Sequence, residues 1–511
     1  MRTSGSTTAA AADTTRSAGV AAAVTALAHA ATPLASQGAK GKVIAIQLDS
    51  IAPANEGVER VLDEIQTRAS VNVLMIDSLW FTPTATMEEL AKEDLRGHVR
   101  DPGSGLVGGR MGFVDPKYYH DTGVDLTPLA RRAGTPDILA AFCASAKKRG
   151  LKVVPIIKDM VPGEAPGHEK MCEYDSNGQL AETSCKNNPA YRNLLKGVME
   201  DMIRSYDVDG IMYIAERQGP FMDTLGLRFR GIKRGLPGSR TCFCSHCQAT
   251  ARERGIKFEK AKAGFEELAK FTAAGRARQR PVDGYYVTLW RLMLRHPELL
   301  AWEHMWHDNL RGVYQLLYRT VKAVRSTVQY GVHIWPNINM NPLLSAEHDF
   351  TELAQYHDFI KFSIYSNAGG PRMGGYIDSV SQTMFGDLSP EEALRFNYRV
   401  MNYDEAPLNR VRQAGLKNDF VYRESKRGME AVHGTKAALF PGLDIDIETD
   451  IERREGLTDP AVTTRADVKK IVTQAFQAGV PGVVLSRQYS EMTLNNLSGV
   501  NDALREAGII S

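Results

Sequence analysis

The sequence predicts an α/β protein whose eight parallel strands close into a (β/α)8 barrel, the TIM-barrel fold. Eight short apolar runs recur along the chain, and most are continuous, as in strands that are covered on both faces. Polar loop residues and a helical pattern follow each run. No G-x-G-x-x-G motif follows the first run, which disfavours the alternative, a doubly wound sheet. The runs are Val43–Ser50, Val71–Ser78, Leu151–Lys158, Gly210–Arg217, Tyr330–Asn337, Phe359–Ser366, Ala437–Asp446 and Gly482–Tyr489.

The composition is that of an ordinary folded protein. Of the 511 residues, 43% are hydrophobic and 24% are charged, which excludes a disordered or collagen-like chain. The 62 basic and 60 acidic residues leave a net charge of +2. This balance lacks the strong positive charge that is typical of proteins that bind nucleic acid. No run of about 18 consecutive apolar residues is present, so no transmembrane helix is predicted.

Residues 1–40 differ from the rest of the chain. They are rich in Ala, Thr and Ser, contain Arg2 and Arg16, and carry a mildly apolar stretch that ends in the A-x-A site Ala28-His29-Ala30. These features resemble a signal peptide and predict a secreted or periplasmic protein. The alternative is a disordered tail on a cytoplasmic protein.

Residues 41–511 are predicted to form one barrel with insertions rather than three separate domains. The connections after the second, third and fourth runs are long, and such loops carry the chemistry of these barrels. Helix starts are predicted at Thr135-Pro136, Asn188-Pro189 and Ser389-Pro390, where a capping side chain precedes proline. Residues Val282–Val324 show the spacing of a helix that packs on the barrel.

Carboxylates follow two of the predicted strands. Glu216 comes at the end of the fourth run, and Asp444, Asp446 and Glu448 alternate along the seventh, so these three share one face. Carboxylates at these two strand ends would face each other across the barrel mouth. Cleavage of a glycosidic bond needs two such groups. The structural alternatives are an ion pair between Glu216 and a rim arginine, and helix capping or ion binding by the strand-seven acids.

Four segments resemble the bacterial TIM-barrel hypothetical glycoside hydrolases. They are Glu216–Pro220 (ERQGP), Cys242–Cys247 (CFCSHC), Asp444–Asp446 (DID) and Leu485–Met492 (LSRQYSEM). The resemblance covers about residues 42–505. It implies a glycosidase that requires no cofactor, with the acid/base on strand four and the nucleophile on strand seven. In the wider superfamily the strand-four signature is Asn-Glu and the nucleophile is Glu, whereas this chain has Ala215-Glu216 and Asp446 or Asp444.

We therefore expect a glycoside hydrolase, of the retaining kind, with Glu216 as general acid/base and Asp446 as nucleophile. Polar and aromatic side chains at other strand ends suit a carbohydrate substrate. The predicted substrate-binding residues are Asp77, Trp80, Lys158, Arg217, Trp335, Asn337, Tyr365, Asp444 and Arg487. One alternative is a lyase, isomerase or aldolase acting on a sugar, with Lys158 as a Schiff-base nucleophile. Another is a non-catalytic carbohydrate-binding barrel.

Cys242, Cys244 and Cys247 are spaced as metal ligands and suggest a structural zinc site with an unidentified fourth ligand. Such clusters are similar to the structural zinc sites of family forty-two β-galactosidases. The alternative is one disulfide and a free thiol. Cys172 and Cys185 flank an Asn177-Gly178 turn, so a hairpin closed by a disulfide is predicted there.

Overall fold

The computed structural model describes residues 38–78, 97–101, 106–159, 163–227, 240–446 and 462–511, together with the single positions 34, 83, 86, 88 and 103. The predicted signal-like segment therefore lies mostly outside the described residues, and export stays a prediction. Among the helices of the described ranges, none is long and apolar enough to cross a membrane.

Eight parallel strands close into a barrel, which confirms the predicted fold class. Around the barrel the strands follow the order β1-β10-β9-β8-β7-β6-β3-β2, and β4 and β5 form a separate two-stranded sheet. Each predicted run overlaps one barrel strand. The strands are β1 (Val43–Leu48), β2 (Val73–Asp77), β3 (Lys152–Lys158), β4 (Cys172–Tyr174), β5 (Leu180–Ser184), β6 (Gly210–Ile214), β7 (Gln329–Ile334), β8 (Phe359–Ile364), β9 (Ala438–Asp444) and β10 (Gly482–Ser486).

Helices surround the barrel and occupy its long connections. They are α1 (Ile51–Glu56), α2 (Val58–Ala69), α3 (Ile138–Lys148), α4 (Pro189–Ser205), α5 (Pro220–Leu225), α6 (Ser245–Glu253), α7 (Phe258–Arg276), α8 (Tyr285–Arg295), α9 (Glu298–Val324), α10 (Pro342–Ala346), α11 (Phe350–Leu353), α12 (Gly369–Val380), α13 (Pro390–Met401), α14 (Leu408–Ala414), α15 (Phe420–Ala431), α16 (Arg465–Gln477) and α17 (Leu494–Glu506). The segment Val282–Val324 contains two helices, α8 and α9, which are separated at His296-Pro297.

Two of the three predicted helix starts are confirmed. The Asn188 side chain accepts a hydrogen bond from the Ala190 backbone N–H at the start of α4, and Ser389 forms a capping box at the start of α13. The start at Thr135-Pro136 is wrong, because Asp137 caps α3 instead. Pro136 is held outside the helix, since its carbonyl accepts a hydrogen bond from the Arg110 backbone N–H.

Alternation along the strands fills the barrel interior with apolar side chains and then places polar ones above them. The apolar interior cluster comprises Leu34, Val43, Ala45, Val73, Met75, Val154, Ile156, Met212, Ile214, Phe359, Phe440 and Val484. Two residues further toward the C-terminal end of each strand, the same face carries Gln47, Asp77, Lys158, Glu216, Lys361, Gly442 and Ser486. The change from apolar to polar side chains marks the mouth of the barrel.

Candidate active site

A layer of polar side chains lies above the apolar interior, at the C-terminal ends of the barrel strands. We call it the polar layer; it consists of Gln47, Asp77, Lys158, Glu216, His333, Lys361, Ser363 and Ser486. Its members are mostly buried, whereas 54% of the Glu216 side chain is exposed. Glu216 is therefore the member that presents a carboxylate to solvent at the mouth, where barrels of this kind carry their chemistry.

Glu216 is connected by hydrogen bonds to side chains of the next two strands around the barrel. Its Oε1 atom lies 2.9 Å from Nε2 of His333, on β7. Nδ1 of His333 lies 2.9 Å from Nζ of Lys361, on β8, and Lys361 also donates to Oγ of Ser363 over 2.9 Å. The chain of contacts thus runs from a carboxylate at the mouth to a lysine that is fully buried.

The surroundings of Glu216 favour its ionised form. Desolvation by the surrounding protein raises its pKa, but the hydrogen bond from His333 and the positive charges of Lys361 and Lys158 outweigh this effect and lower the pKa to about 2. Burial and the charge of Lys361 lower the pKa of His333 to about 4. Burial lowers the pKa of Lys361 to about 7, although the charge of Glu216 opposes the shift. At neutral pH Glu216 is ionised and His333 is neutral.

A glycine on β9 leaves the space that Lys361 occupies. A Cβ atom at Gly442 would lie 2.4 Å from Cε and 2.9 Å from Nζ of Lys361. Oγ of Ser486, on the neighbouring strand β10, would lie 3.3 Å from the same Cβ atom, and this hydroxyl donates to Oε1 of Gln47 over 2.8 Å. The position of the lysine is therefore set by packing as well as by its hydrogen bonds.

Asp77 and Lys158 form an ion pair at the ends of β2 and β3. Nζ of Lys158 lies 2.5 Å from Oδ2 of Asp77, and Nε2 of Gln488 lies 3.4 Å from the same oxygen. The amine of Lys158 is thus held against a carboxylate. A Schiff-base lysine must present its amine to the carbonyl group of a substrate, so this contact disfavours the aldolase interpretation of Lys158.

Asp444 and Asp446, the two described acids at the end of the seventh barrel strand (β9), have different surroundings. Oδ2 of Asp446 accepts hydrogen bonds from the backbone and hydroxyl of Thr493 and from the amide of Asn496, at 2.9 to 3.0 Å. Asp444 is buried and accepts from the backbone N–H groups of three successive residues, 366 to 368. Asp444 thus fixes the loop after β8 rather than facing the mouth. Glu448 lies outside the described residues.

Both arginines that were predicted to bind substrate make ion pairs with glutamates. Arg217 donates to Oε2 of Glu173 over 2.5 Å, and its guanidinium lies over the ring of Trp306. Arg487 donates to Glu491, with Nε 2.9 Å from Oε2. The expected alternative, an ion pair between Glu216 and a rim arginine, is not found among the described residues: Glu216 contacts His333, and Arg217 is paired with Glu173 on β4.

The predicted aromatic and amide residues lie at several points of the mouth. Tyr365 follows β8, is 95% buried and has its ring centroid 5.9 Å from Nζ of Lys361. Trp335, which follows β7, is half-buried, and Asn337 is buried in the next turn. Trp80 lies outside the described residues.

Four cysteines converge outside the barrel mouth. The sulfur atoms of Cys185, Cys242, Cys244 and Cys247 lie within 4.8 Å of one another, and all four residues are buried. The S···S distances from Cys185 to Cys244 and Cys247 are 3.5 and 3.7 Å. Four thiolates around one zinc ion, with Zn–S bonds of about 2.3 Å, place their sulfurs about 3.8 Å apart. The donor set and its spacing therefore fit zinc.

The predicted hairpin between Cys172 and Cys185 is confirmed, because β4 pairs with β5 in antiparallel register. The predicted disulfide is wrong: all six cysteines are free thiols. Sγ of Cys172 contacts the backbone carbonyl of His168, whereas Cys185 joins the cluster of four. The alternative of a disulfide within residues 242–247 is wrong for the same reason.

Sequence reasoning missed three residues that the structure brings to these sites. His333 and Lys361 interrupt the apolar runs Tyr330–Asn337 and Phe359–Ser366, and a charged residue inside a run that is buried on both faces is a signal of function. Cys185 is the fourth cysteine of the cluster. Its distance of more than fifty residues from Cys242 hid the relationship.

No protein-family model matches the chain, and no curated protein matches it either. The chain is similar to several solved structures. One is the PgaB (BpsB) glycoside hydrolase domain from Bordetella bronchiseptica, with 12% identity and a TM-score of 0.44 over 92% of this chain and 99% of that chain. Another is a β-galactosidase from the psychrophilic Marinomonas ef1, with 10% identity and a TM-score of 0.49 over 91% of this chain and 60% of that chain. A class V chitinase from Pseudomonas fluorescens Pf-5 has 8% identity and a TM-score of 0.42 over 91% and 99%. These identities are low, and the similarity identifies neither a substrate nor a mechanism.

Proposed function

We propose that this protein is a retaining glycoside hydrolase in which Glu216 is the nucleophile. The observation that carries the proposal is the state of Glu216, a carboxylate that is held ionised and half-exposed at the C-terminal end of the fourth barrel strand. A glycosidase nucleophile must be ionised and must reach the sugar ring. The half-buried Trp335, which follows the neighbouring strand β7, offers apolar surface for a sugar at the mouth of the barrel.

This assignment exchanges the roles that the sequence predicts for the two carboxylates. A general acid has to be protonated before the bond breaks, and the low pKa of Glu216 opposes this. The acid/base of the proposal is then a second carboxylate at the mouth, for which Asp446 is the candidate that the sequence predicts. Asp446 follows β9, which lies three places from β6 around the barrel, and its hydrogen bonds to Thr493 and Asn496 fix its orientation.

The replacement Glu216→Gln is expected to abolish hydrolysis of aryl glycosides, with kcat reduced at least about a thousandfold. A modest fall in the melting temperature is expected, because Glu216 also compensates the charge of the buried Lys361, and circular dichroism checks that the variant is folded. A panel of aryl glycosides that covers several sugars and both anomers is the assay. The control is Glu430→Gln, which changes an exposed glutamate on α15 and should leave the rate unchanged.

The role of Glu216 is assigned with the variant Glu216→Gly and sodium azide. If Glu216 is the nucleophile, azide restores turnover of an activated glycoside and gives a glycosyl azide of inverted configuration, visible by proton NMR. A product of retained configuration would make Glu216 the acid/base. If the unaltered protein binds the glycosides and hydrolyses none of them, the proposal of a hydrolase is wrong and a binding protein is favoured.

We also propose that Cys185, Cys242, Cys244 and Cys247 hold a structural zinc ion. Four buried thiols with this spacing leave no coordination position for a substrate, and structural zinc sites are closed in this way. The ion would connect the end of the β4–β5 hairpin to the start of α6. The proposed hydrolysis does not depend on chemistry at this site.

A further inference from the structure

We propose that His333 and Lys361 are positioning residues that hold Glu216 ionised and fix the direction of its carboxylate. This inference rests on the proposed function of Glu216, and it assigns roles to two residues that no sequence motif identified. The two hydrogen bonds of 2.9 Å from Glu216 through His333 to Lys361 are the geometry that carries it.

The directions of these hydrogen bonds follow from the chemistry of the three groups. A protonated lysine has three donors and no acceptor, so Nδ1 of His333 must accept from Lys361. The proton of the neutral imidazole is then on Nε2, which donates to the Glu216 carboxylate. Each contact of the chain then joins a donor to an acceptor, and only one tautomer of His333 satisfies both of its contacts.

Burial makes this arrangement specific. Lys361 has no exposed surface, and its Nζ atom also donates to Ser363. A charged lysine in such a place requires a nearby negative charge, and Glu216 supplies it through the imidazole. The positive charge of Lys361 favours the ionised carboxylate in return, so each end of the chain stabilises the charged form of the other.

The other charged and titratable groups near the chain come from neighbouring strands and loops. The positive charge of Lys158 lowers the pKa of Glu216 and of His333. Lys158 is itself paired with Asp77. Tyr365 lies beside Lys361 and is also approached by Arg372. The groups that face the chain are therefore Asp77, Lys158, Tyr365, Arg372 and Arg487.

Two substitutions break the chain at different points. Lys361→Met removes the charge while keeping a similar length, and His333→Gln removes the imidazole that transmits it. In both variants the acid limb of the profile of kcat/KM against pH is expected to move upward by about one pH unit or more. The value of kcat should fall about tenfold or more while KM changes little, because a misdirected nucleophile affects the chemical step.

A third variant displaces Lys361 without removing its charge. In Gly442→Ala the new Cβ would lie 2.4 Å from Cε and 2.9 Å from Nζ of Lys361, so the end of the lysine must shift and its contact with His333 is disturbed. The pH profile is expected to resemble that of Lys361→Met. The control is His357→Gln, since His357 is equally buried but contacts the Leu353 carbonyl on another part of the molecule. It should lower stability and leave the pH profile unchanged.

A direct titration separates this proposal from the proposed function. In protein labelled with carbon-13 at the glutamate carboxyl groups, the Glu216 signal is identified by its loss in Glu216→Gln and is followed by NMR from pH 3 to pH 8. We expect this carboxyl group to be ionised throughout the range in the unaltered protein, and its pKa to rise in Lys361→Met. If the carboxyl group stays ionised from pH 3 to pH 8 in Lys361→Met as well, the proposal is overturned, whether or not a glycoside is hydrolysed. A raised midpoint without hydrolysis would support it and contradict only the catalytic role.

Discussion

Asp444 and Glu216 are both carboxylates at the C-terminal end of the barrel, and their surroundings give them different roles. Glu216 accepts one side-chain hydrogen bond and is half-exposed. Asp444 is almost fully buried and accepts three backbone hydrogen bonds, from Ser366, Asn367 and Ala368, at 2.8 to 3.1 Å. It therefore fixes the loop that immediately follows Tyr365.

The variant Asp444→Asn is expected to lower the free energy of unfolding by about 1–3 kcal/mol, because an amide NH2 group would face backbone donors that then lack an acceptor. Urea unfolding followed by circular dichroism measures this loss. Asp378→Asn is the control, since Asp378 is half-exposed and its ion pair with Arg412 lies at the surface. Equal stability of the two variants would contradict the supporting role of Asp444.

For single residues, the sequence predicted where the side chains at the barrel mouth lie better than it predicted what each of them contacts. Glu216 was found because it ends an apolar run, and alternation on the same strand places it above Met212 and Ile214. The partners of each side chain were not predictable, because they come from strands that are distant in sequence. Arg217 illustrates this: its neighbour in sequence is Glu216, but its neighbour in space is Glu173, on the hairpin.

At the scale of elements, the cysteine cluster joins two insertions of the barrel. Cys185 lies directly after β5, in the connection that follows the third barrel strand, and the other three cysteines precede or begin α6, in the connection that follows the fourth. The two connections also meet where Arg217 contacts Glu173. A metal ion here would clamp the loop that follows Glu216 to the hairpin. The sequence predicted the hairpin from its turn but not its partner, because contacts between insertions leave no periodic pattern.

The purified protein is expected to contain about one zinc ion per chain by mass spectrometry of metals. Removal of the ion, or the variant Cys185→Ser, should lower the melting temperature by several degrees, because a structural metal contributes directly to folding. Cys172→Ser is the matched control: this cysteine is buried on the same hairpin but lies outside the cluster. Equal metal content in Cys185→Ser and the unaltered protein would show that the cluster does not bind zinc.

At the scale of the whole molecule, the barrel depends on the pairing of its first and last strands. The eight apolar runs predicted the number and type of strands, since parallel strands that are covered on both faces are apolar throughout. The pairs that close the barrel, from Val43 with Gly482 to Ile46 with Leu485, join residues more than 430 positions apart. Such register depends on shape complementarity, which one sequence does not display.

Gly482 provides a test of this closure. A Cβ atom at this position would lie 2.4 Å from the carbonyl oxygen of Val43 and 2.5 Å from the Cβ of Val43. The variant Gly482→Ala therefore forces β10 and β1 apart. Because the contact is with backbone, we expect a loss of about 1–3 kcal/mol in the free energy of unfolding. Gly163→Ala is the control, since a Cβ there meets no atom within 4 Å.

If the pair of strands that closes the barrel is part of one cooperative unit, the circular dichroism and tryptophan fluorescence of Gly482→Ala should still change in a single coincident transition, at a lower denaturant concentration. Separate transitions in the two signals would show instead that the first and last strands unfold independently of the remaining barrel.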